Sequence, residues 1–298
     1  MIHTRADPLF NELFTSIRST DDSSIRETSL QALRGIITPA GDKMGDAMRK
    51  SLQSTLQALL AHPEDTTRSA AAGCLGALCR RLPEEELVTV VTDCLLCDDP
   101  TLDWTLRHGR SAALAVALKE APTQIYSDDW KESVQRTLLA YLTADRVPIV
   151  SNAVRAIGFL FAHLATTSAP LPQPLVQPFA KTLNHANNEV KQLVAQAAHF
   201  LARRVDAMLP TELLKVLLPQ LVNGTKEKNS AVRASCELAL VALLRLRQGP
   251  TDDTHQLCVN LLDPGARESL GEVLAKVLRK IATQPESKEE ELDSTIVS

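Results

Sequence analysis

The sequence predicts an all-α protein in which helical hairpins stack into a solenoid, chiefly because it has a regular internal period. Six times along the 298 residues, a polar turn precedes a branched or small residue, usually followed by a base, and then a helix of small and aliphatic residues. These starts lie 42, 39, 43, 41 and 42 residues apart, at Ile25-Arg26, Thr67-Arg68, Leu106-Arg107, Ile149-Val150, Val190-Lys191 and Val232-Arg233. Aromatic residues make up only 3% of the chain, which disfavours sheets. A period of this length is typical of a HEAT/armadillo-type α-solenoid, with about six to seven helical-hairpin repeats here.

Each predicted repeat consists of a first helix, A, a polar turn and a second helix, B. The sixth repeat shows this most clearly, because apolar residues recur at helical spacing in both segments. They are Leu213, Val216, Leu217 and Leu221 in helix A, and Val232, Cys236, Ala239, Leu240 and Leu243 in helix B. Between the two segments, Gly224 suits a left-handed helix end.

Acidic and hydroxyl residues crowd the turns between the A and B helices, as in Asp21–Ser24, Glu64–Thr66 and Asp98–Thr101. Such side chains accept hydrogen bonds from the free amides at a helix start, so capping is the first interpretation. An acidic edge for binding a partner is the alternative.

Composition shifts divide the chain into three parts. Residues 1–250 are predicted to form the six HEAT-type repeats, and 251–282 a pair of C-terminal capping helices with a stripe that includes Leu270, Val273 and Leu274. Residues 283–298 are acidic and lack periodicity, which predicts a disordered tail. A proline cluster at 169–174, with Pro178 beyond it, predicts a break between the fourth and fifth repeats.

Charge and hydropathy narrow the functional classes. The formal charge of −4 argues against a generic nucleic-acid binder. No apolar run reaches the roughly 18–20 residues that span a bilayer, and the N-terminus does not look like a signal peptide. The six cysteines lie in apolar helical segments, as expected for reduced thiols. We therefore expect a soluble intracellular protein of the cytosol or the nucleus.

Catalytic motifs are absent from the sequence, so we expect no catalytic, cofactor-binding or metal-binding residues and no cofactor. There is no nucleophile elbow, phosphate-binding loop or pair of histidines at metal spacing. Cys94 and Cys97 form a single Cys-x-x-Cys pair, for which burial in an A helix is the first interpretation. A zinc or cysteine enzyme built on this pair is the alternative.

Two sets of residues are candidates for binding a partner. Asp103–Ser111 contains one of only two tryptophans, Trp104, with Arg107 and Arg110 on a shared helix face that suits a partner's carboxylates. The alternative is that Trp104 fills the junction between repeats and the arginines bond nearby carbonyls. The second set consists of bases at equivalent positions in the B helices: Arg26, Arg68, Arg107, Lys191 and Arg233. A structural role is the first interpretation of this set, and a groove that binds a partner is the second.

The running sequence at 42–46, 103–111 and 150–158 resembles the C-terminal region of the general-control nonderepressible translational activator family. These are very large, non-enzymatic HEAT-repeat activators of the amino-acid-starvation kinase that phosphorylates the alpha subunit of eukaryotic initiation factor 2. The resemblance implies a cytoplasmic, ribosome-associated scaffold whose partner is the kinase's small RWD domain. It also implies that the ribosome and an ATP-binding-cassette partner are contacted mainly by repeats upstream of this segment, so we expect the chain to be the end of a longer solenoid.

A tubulin-binding array of six HEAT repeats is the alternative function. Such arrays bind through exposed aromatic and basic residues in the turns between the A and B helices. Here the first three turns are acidic or hydroxylic, and only Thr225–Lys228 is basic. The scaffold in the starvation pathway is therefore the favoured prediction.

Overall fold

The computed structural model describes residues 3–40, 44–96, 99–205, 209–244 and 260–281. Side chains are described for all of these residues except 3–7, 40 and 276–281. Helices are the only regular elements within the described ranges. No β-strand occurs within those ranges. The prediction of an all-α protein is confirmed.

The chain packs as two units, Met1–Ala156 and Ile157–Ser298. The first unit holds the helices α1 His3–Ser19, α2 Ser23–Ala40, α3 Asp46–Leu59, α4 Asp65–Cys79, α5 Glu84–Val90, α6 Trp104–Glu120, α7 Pro122–Ile125 and α8 Lys131–Leu142. Helix α5 continues as a π-helical turn, Val91–Leu95. Helix α9, Val147–Thr166, begins in this unit and ends in the second. Helices α2, α4 and α6 are the B helices of the first three hairpins, and α4 packs against both α2 and α6.

The second unit continues with α10 Gln173–Lys181, α11 Asn188–Arg204, α12 Thr211–Gly224, α13 Ser230–Leu243 and α14 Pro264–Ile281. Helix α11 packs on α13, and α14 packs against α12 and α13. The B helices of the chain begin at 23, 65, 104, 147, 188 and 230. These starts reproduce the period predicted from the sequence.

The break predicted at the proline cluster is present, since α9 ends at Thr166 and α10 begins at Gln173. Two details about helix breakers are wrong. Pro178 lies inside α10 rather than in the break, and Pro174 occupies the first turn of that helix. Gly224 does not adopt a left-handed conformation, and a Cβ there would lie 2.4 Å from Cys236 Sγ. Gly224 is the last residue of α12, and it allows α12 and α13 to approach closely rather than ending the helix in a left-handed turn.

The predicted domain boundaries stay predictions. Residues 245–259 and 283–298, which include part of the predicted cap and the whole predicted tail, lie outside the described residues. Of the predicted cap stripe, Leu270 is buried, and Val273 and Leu274 are half-buried.

Helix α9 corrects the expectation that no segment is apolar enough to span a bilayer. It is the one helix of the described part of the chain that passes by length and composition, with 20 residues and a mean hydropathy of 1.5 in its best window. However, 72% of that window is buried within the protein. A buried core helix has these same properties.

The helices of the first unit approach closely because small residues stand where they meet. A Cβ on Gly76 of α4 would lie 2.5 Å from Val116 Cβ of α6, and one on Gly109 of α6 would lie 2.1 Å from the Leu60 carbonyl oxygen. Since a backbone oxygen cannot rotate away, Gly109 sets the distance between the end of α3 and the start of α6.

An ion pair joins the A helices of the second and third hairpins. Arg49 Nε and Nη2 donate to the two carboxylate oxygens of Glu86 at 2.7 and 2.8 Å, and Nη2 also reaches Asp46 Oδ1 at 2.8 Å. The Arg49 side chain is only 8% exposed. Hydrogen bonding to Arg49 lowers the pKa of Glu86. The second and third hairpins are thus linked on the A side as well as the B side.

Replacing Gly109 by alanine should destabilise the protein, whereas the same change at Gly35 should not. We expect Gly109→Ala to lower the free energy of unfolding by about 1–3 kcal/mol, because the new methyl group overlaps the Leu60 carbonyl. Gly35 lies in α2 with nothing within 4 Å of a Cβ, so Gly35→Ala should raise stability by about 0.4–1 kcal/mol. Urea unfolding followed by circular dichroism measures both, and similar effects of the two substitutions would contradict the packing described here.

Candidate partner-binding surface

Four of the six B helices begin directly after a residue whose side chain caps them and carry a base four positions after that cap, whereas Glu64 before α4 makes no capping hydrogen bond. In the sixth hairpin, for example, Asn229 Oδ1 accepts hydrogen bonds from the amides of Ala231 and Val232, and Arg233 is the base four positions after this cap. The pairs with a capping hydrogen bond are Asp22 with Arg26, Asp103 with Arg107, Asn187 with Lys191, and Asn229 with Arg233. Capping by Asp22 confirms the first interpretation of that acidic turn. Helix α14 repeats the pair with Asp263 and Arg267.

Most of these bases turn inward rather than towards solvent. Each of four donates to one or more carbonyl oxygens of the turn before its own helix: Arg26 to Thr20, Arg68 to His62 and Pro63, Arg233 to Glu227 and Lys228, and Arg267 to Leu262. Lys191 instead forms an ion pair with Glu227 at 2.7 Å. These contacts satisfy carbonyls that no helix would otherwise pair. They match the structural interpretation of the set; its role in partner binding stays a prediction.

Arg68 does more than hold its own turn. Its side chain is 2% exposed, and its Nε donates to Nδ1 of His108 on the neighbouring B helix at 3.1 Å. Its Nη2 also contacts Asp65 Oδ1 at 2.9 Å. One guanidinium therefore ties the second hairpin to the third.

Buried polar contacts continue from His108 towards the fourth hairpin. Ser111 Oγ donates to the His108 carbonyl at 2.8 Å, and Asn152 Nδ2 donates to Ser111 Oγ at 3.0 Å. His108, Ser111 and Asn152 are each no more than 7% exposed. We call Arg68, His108, Ser111 and Asn152 the polar chain, since it connects the B helices α4, α6 and α9 within the first unit.

The polar chain needs a neutral His108. Because Nδ1 accepts the proton of Arg68 Nε, it must be unprotonated. Burial lowers the pKa of His108, the charge of Arg68 lowers it further, and Asp65 opposes both. Protonation would therefore break the contact with Arg68.

Trp104 stands above the polar chain at the first position of α6 and remains 39% exposed. The guanidinium of Arg68 lies 5.2 Å from the indole centroid, and that of Arg146 lies 5.5 Å from it. Both distances suit cation–π attraction. Trp104 is thus neither fully buried in a junction nor isolated, but is held by arginines from the second and fourth hairpins.

Arg107 and Arg110 are half-buried on the same helix. Arg110 Nη2 donates to the Asp93 carbonyl at 3.3 Å, and the Nε atoms of both residues are buried without a hydrogen-bond partner. The structure thus holds the two guanidinium groups partly inward. Whether they bind a partner's carboxylates stays a prediction.

The cysteines of the described residues are buried. Burial raises the pKa of the Cys74, Cys79 and Cys236 thiols to about 12. Cys94 is 4% exposed in the π-helical turn, whereas Cys97 lies outside the described residues. Among the described residues, no group of three or more His, Cys, Asp or Glu side chains is arranged to hold a metal ion. The absence of a zinc site at the Cys94–Cys97 pair stays a prediction.

Sequence reasoning missed several residues of this surface. Arg146 is a base in a turn, and its contact with Trp104 joins two hairpins, so no local pattern indicates it. Asn152 stands in a largely apolar part of α9, and His108, although it lies within the Asp103–Ser111 stretch, gives no local sign of its bond to Arg68. A signal did exist for Arg267, because Asp263 precedes it by the same four positions as the other caps and bases.

Comparisons with known proteins show which family the chain resembles. The family model described as stalled ribosome sensor GCN1-like, HEAT repeats, matches residues 7–296. The human protein named stalled ribosome sensor GCN1 is 41% identical over 300 residues, which cover 100% of this chain and 11% of that protein. Protein ILITYHIA of Arabidopsis thaliana is 26% identical over 253 residues, or 83% of this chain and 9% of its own length. The eIF-2-alpha kinase activator GCN1 of Saccharomyces cerevisiae is 25% identical over 186 residues, or 62% and 7%. The chain therefore spans about a tenth of the length of these relatives.

Solved structures support the fold alone. Kap121p has a TM-score of 0.62 at 11% identity, with 99% of this chain and 33% of that chain covered. Kap95p, from a structure with RanGDP, has a TM-score of 0.55 at 14% identity, with 97% and 41% covered. The prediction of a HEAT/armadillo-type α-solenoid is confirmed.

His108 should make the protein less stable as the pH falls from 7 to 5. Its pKa is lower in the folded protein than in the unfolded chain, so its stabilisation is complete above the unfolded value, about 6.5, and is lost as the pH falls towards the folded value. The asparagine of His108→Asn keeps an acceptor for Arg68 but cannot titrate. Between pH 7 and pH 5, the free energy of unfolding should therefore fall less in this variant than in the unsubstituted protein. Burial also lowers the pKa of His62, so the stability of the variant should still decrease somewhat as the pH falls.

A control separates this titration from simple destabilisation. Ser111→Ala removes hydrogen bonds of the same polar chain, so it should lower stability at every pH while keeping the slope. Denaturant unfolding at several pH values measures the slopes. An unchanged slope in His108→Asn would contradict the assignment.

Proposed function

The chain belongs to the stalled ribosome sensor GCN1-like family of HEAT-repeat proteins, and we propose that it is a non-catalytic protein-interaction scaffold that acts at the ribosome in translational control. The observation that carries this proposal is the 41% identity to human GCN1 over the whole chain. The solenoid fold supports it, because stacked hairpins expose extended surfaces for partners. A role at the ribosome also fits a cytoplasmic protein.

The finer proposal is that this segment holds the RWD domain of the starvation-response kinase and so helps to activate it. It is supported by the similar yeast protein, which is named an eIF-2-alpha kinase activator, and by the resemblance already noted in the sequence. The relatives are about nine times longer than the chain. We therefore propose that the ribosome and the ATP-binding-cassette partner are contacted mainly by repeats of the family that precede this segment.

We place the partner contact at Trp104 and the half-buried Arg107 and Arg110 beside it. Trp104 is a large exposed aromatic on a rigid helix, and aromatic side chains of this kind commonly dominate interface energies. The inward contacts of Arg26, Arg68, Lys191 and Arg233 leave less of these side chains for a partner. Arg26 and Arg68 are secondary members of the proposed contact set in the first unit, and Lys191 and Arg233 are a separate secondary candidate in the second unit.

The tubulin-binding alternative gains no support from the first unit. Its turns carry exposed carboxylates, including Asp22, Glu64, Asp65 and Asp103. Arrays that bind acidic tubulin surfaces need the opposite charge.

Trp104→Ala should weaken binding of the kinase's RWD domain by tenfold or more, because the variant removes the central aromatic of the proposed contact. The full chain, its Trp104→Ala variant and a Val88→Ala control are titrated with the purified RWD domain by calorimetry. Val88 is another large hydrophobic residue, 41% exposed on α5, and its loss should leave the affinity unchanged. Circular dichroism checks that each variant is folded.

Two results would contradict the proposal at different levels. Absence of binding up to about 100 μM would remove kinase docking from this segment, since interfaces weaker than this are rarely specific. Normal binding by a folded Trp104→Ala variant would place the contact elsewhere on the chain.

A further inference from the structure

Around Trp104, the carboxylates face solvent and most of the guanidinium groups do not. The Asp65 side chain is 69% exposed and that of Asp145 is 76% exposed, whereas Arg68 is only 2% exposed. Asp103, directly before Trp104, is also exposed. The charge available to a partner at this surface is therefore mainly negative, although the sequence contains several arginines here.

The remaining cations of the region are already engaged. Hydrogen bonds from Thr101 lower the pKa of Asp99, and the charge of the half-buried Arg107 lowers it further. Arg110 is half-buried and contacts a backbone carbonyl. Neither presents a full guanidinium fork to solvent, as a contact with partner carboxylates would require.

Arg146 is the exception, since its side chain is 55% exposed. It lies over the Trp104 indole, and its Nε is 3.7 Å from Asp145 Oδ2. An exposed ion pair contributes about 0–1 kcal/mol and an exposed cation–π contact about 0.5–1 kcal/mol. Contacts this weak can be exchanged for those of another arginine.

The same indole therefore already accepts guanidinium groups from its own chain. Arg68 is fixed by buried hydrogen bonds and cannot leave, but Arg146 is held only by surface contacts. A second arginine placed at the Arg146 position would find the same ring and the same carboxylates.

We propose that Trp104, with the carboxylates of Asp103 and Asp145, is a docking site for an arginine side chain of a partner protein, and that Arg146 occupies the indole until that arginine replaces it. The proposal rests on the scaffold function and names the chemistry of its partner. An arginine fits better than a lysine because its planar group stacks on the ring and can bond carboxylates through its two arms. The proposed partner segment is thus basic. The arginines of the sequence alone predict an acidic one.

The test uses three short peptides, acetyl-Gly-Arg-Gly-Arg-Gly-amide and its lysine and glutamate counterparts. The full chain carries Trp130→Phe, so that Trp104 is the only tryptophan and its emission reports binding. We expect a saturable change with the arginine peptide, a weaker one with lysine and none with glutamate. Trp104→Ala, followed by calorimetry, should abolish binding of the arginine peptide.

Variants of the neighbouring charges give the sharpest result. Arg146→Ala should raise the affinity for the arginine peptide by about two- to fivefold, because it vacates the ring. The double variant Asp103→Asn, Asp145→Asn should lower that affinity, and asparagine preserves the helix cap at 103. Asp128→Asn is the control, because Asp128 is an exposed carboxylate that pairs with Lys131 of α8. This variant should leave the affinity for the arginine peptide unchanged.

Three results would overturn the proposal: stronger binding of the glutamate peptide, a fall in arginine-peptide affinity in Arg146→Ala, or an unchanged affinity in the double aspartate variant. The tests of the two proposals fail separately. An RWD domain that binds through Trp104 in a chain that ignores the arginine peptide would leave the scaffold function intact and reject the chemistry proposed here. Binding of the arginine peptide without binding of the RWD domain would support the arginine site and reject docking of the kinase on this segment.

Discussion

The first unit depends on one buried guanidinium. Arg68 donates to the carbonyls of its own turn, to Asp65 and to Nδ1 of His108, so the start of α4 and the start of α6 share a single side chain. Removing it would take this donor from Nδ1 of the buried His108 and from the part-buried carbonyls of His62 and Pro63, and an acceptor left buried and unpaired costs about 1–3 kcal/mol. The same group lies over Trp104, which links the packing of the repeats to the only strongly aromatic part of this surface.

Close packing and the polar chain act together. Gly109 follows His108 and brings α6 against the Leu60 carbonyl, which places the histidine within reach of Arg68. From there, Ser111 and Asn152 carry polar contacts to α9. Because Arg68 serves the interior and Arg107 and Arg110 are half-buried, Trp104 is exposed among carboxylates, with Arg146 as the one exposed arginine over its ring. The chemistry offered to a partner is therefore a consequence of how the hairpins are held together.

The sequence was sufficient to predict the repeats but not the contacts between them. Helix starts depend on local signals, such as the Asn229 cap followed by Val232 and Arg233, and these recur with the period of the chain. The contact of Arg68 with His108 joins residues 40 apart, and that of Trp104 with Arg146 joins two hairpins, so neither has a local pattern. Gly224 shows the same limit: its residue type suggested a left-handed turn, whereas its neighbour Cys236, known only from the fold, explains it. Likewise, the basic residues of the sequence predict an acidic partner, and the burial of Arg68, which only the fold reveals, is what supports the proposal of a basic one.

Native-state hydrogen exchange of Arg68→Met tests the central claim most directly, with Arg233→Met as the comparison. Within the part of the chain that the structure describes, the hydrogen bonds of Arg233 go to the carbonyls of its own turn, Glu227 and Lys228. If Arg68 joins the second hairpin to the third, its loss should accelerate exchange in 62–68 and in 104–111 together, while Arg233→Met should affect only the region around 225–233. Faster exchange confined to 62–68 in Arg68→Met would contradict the account.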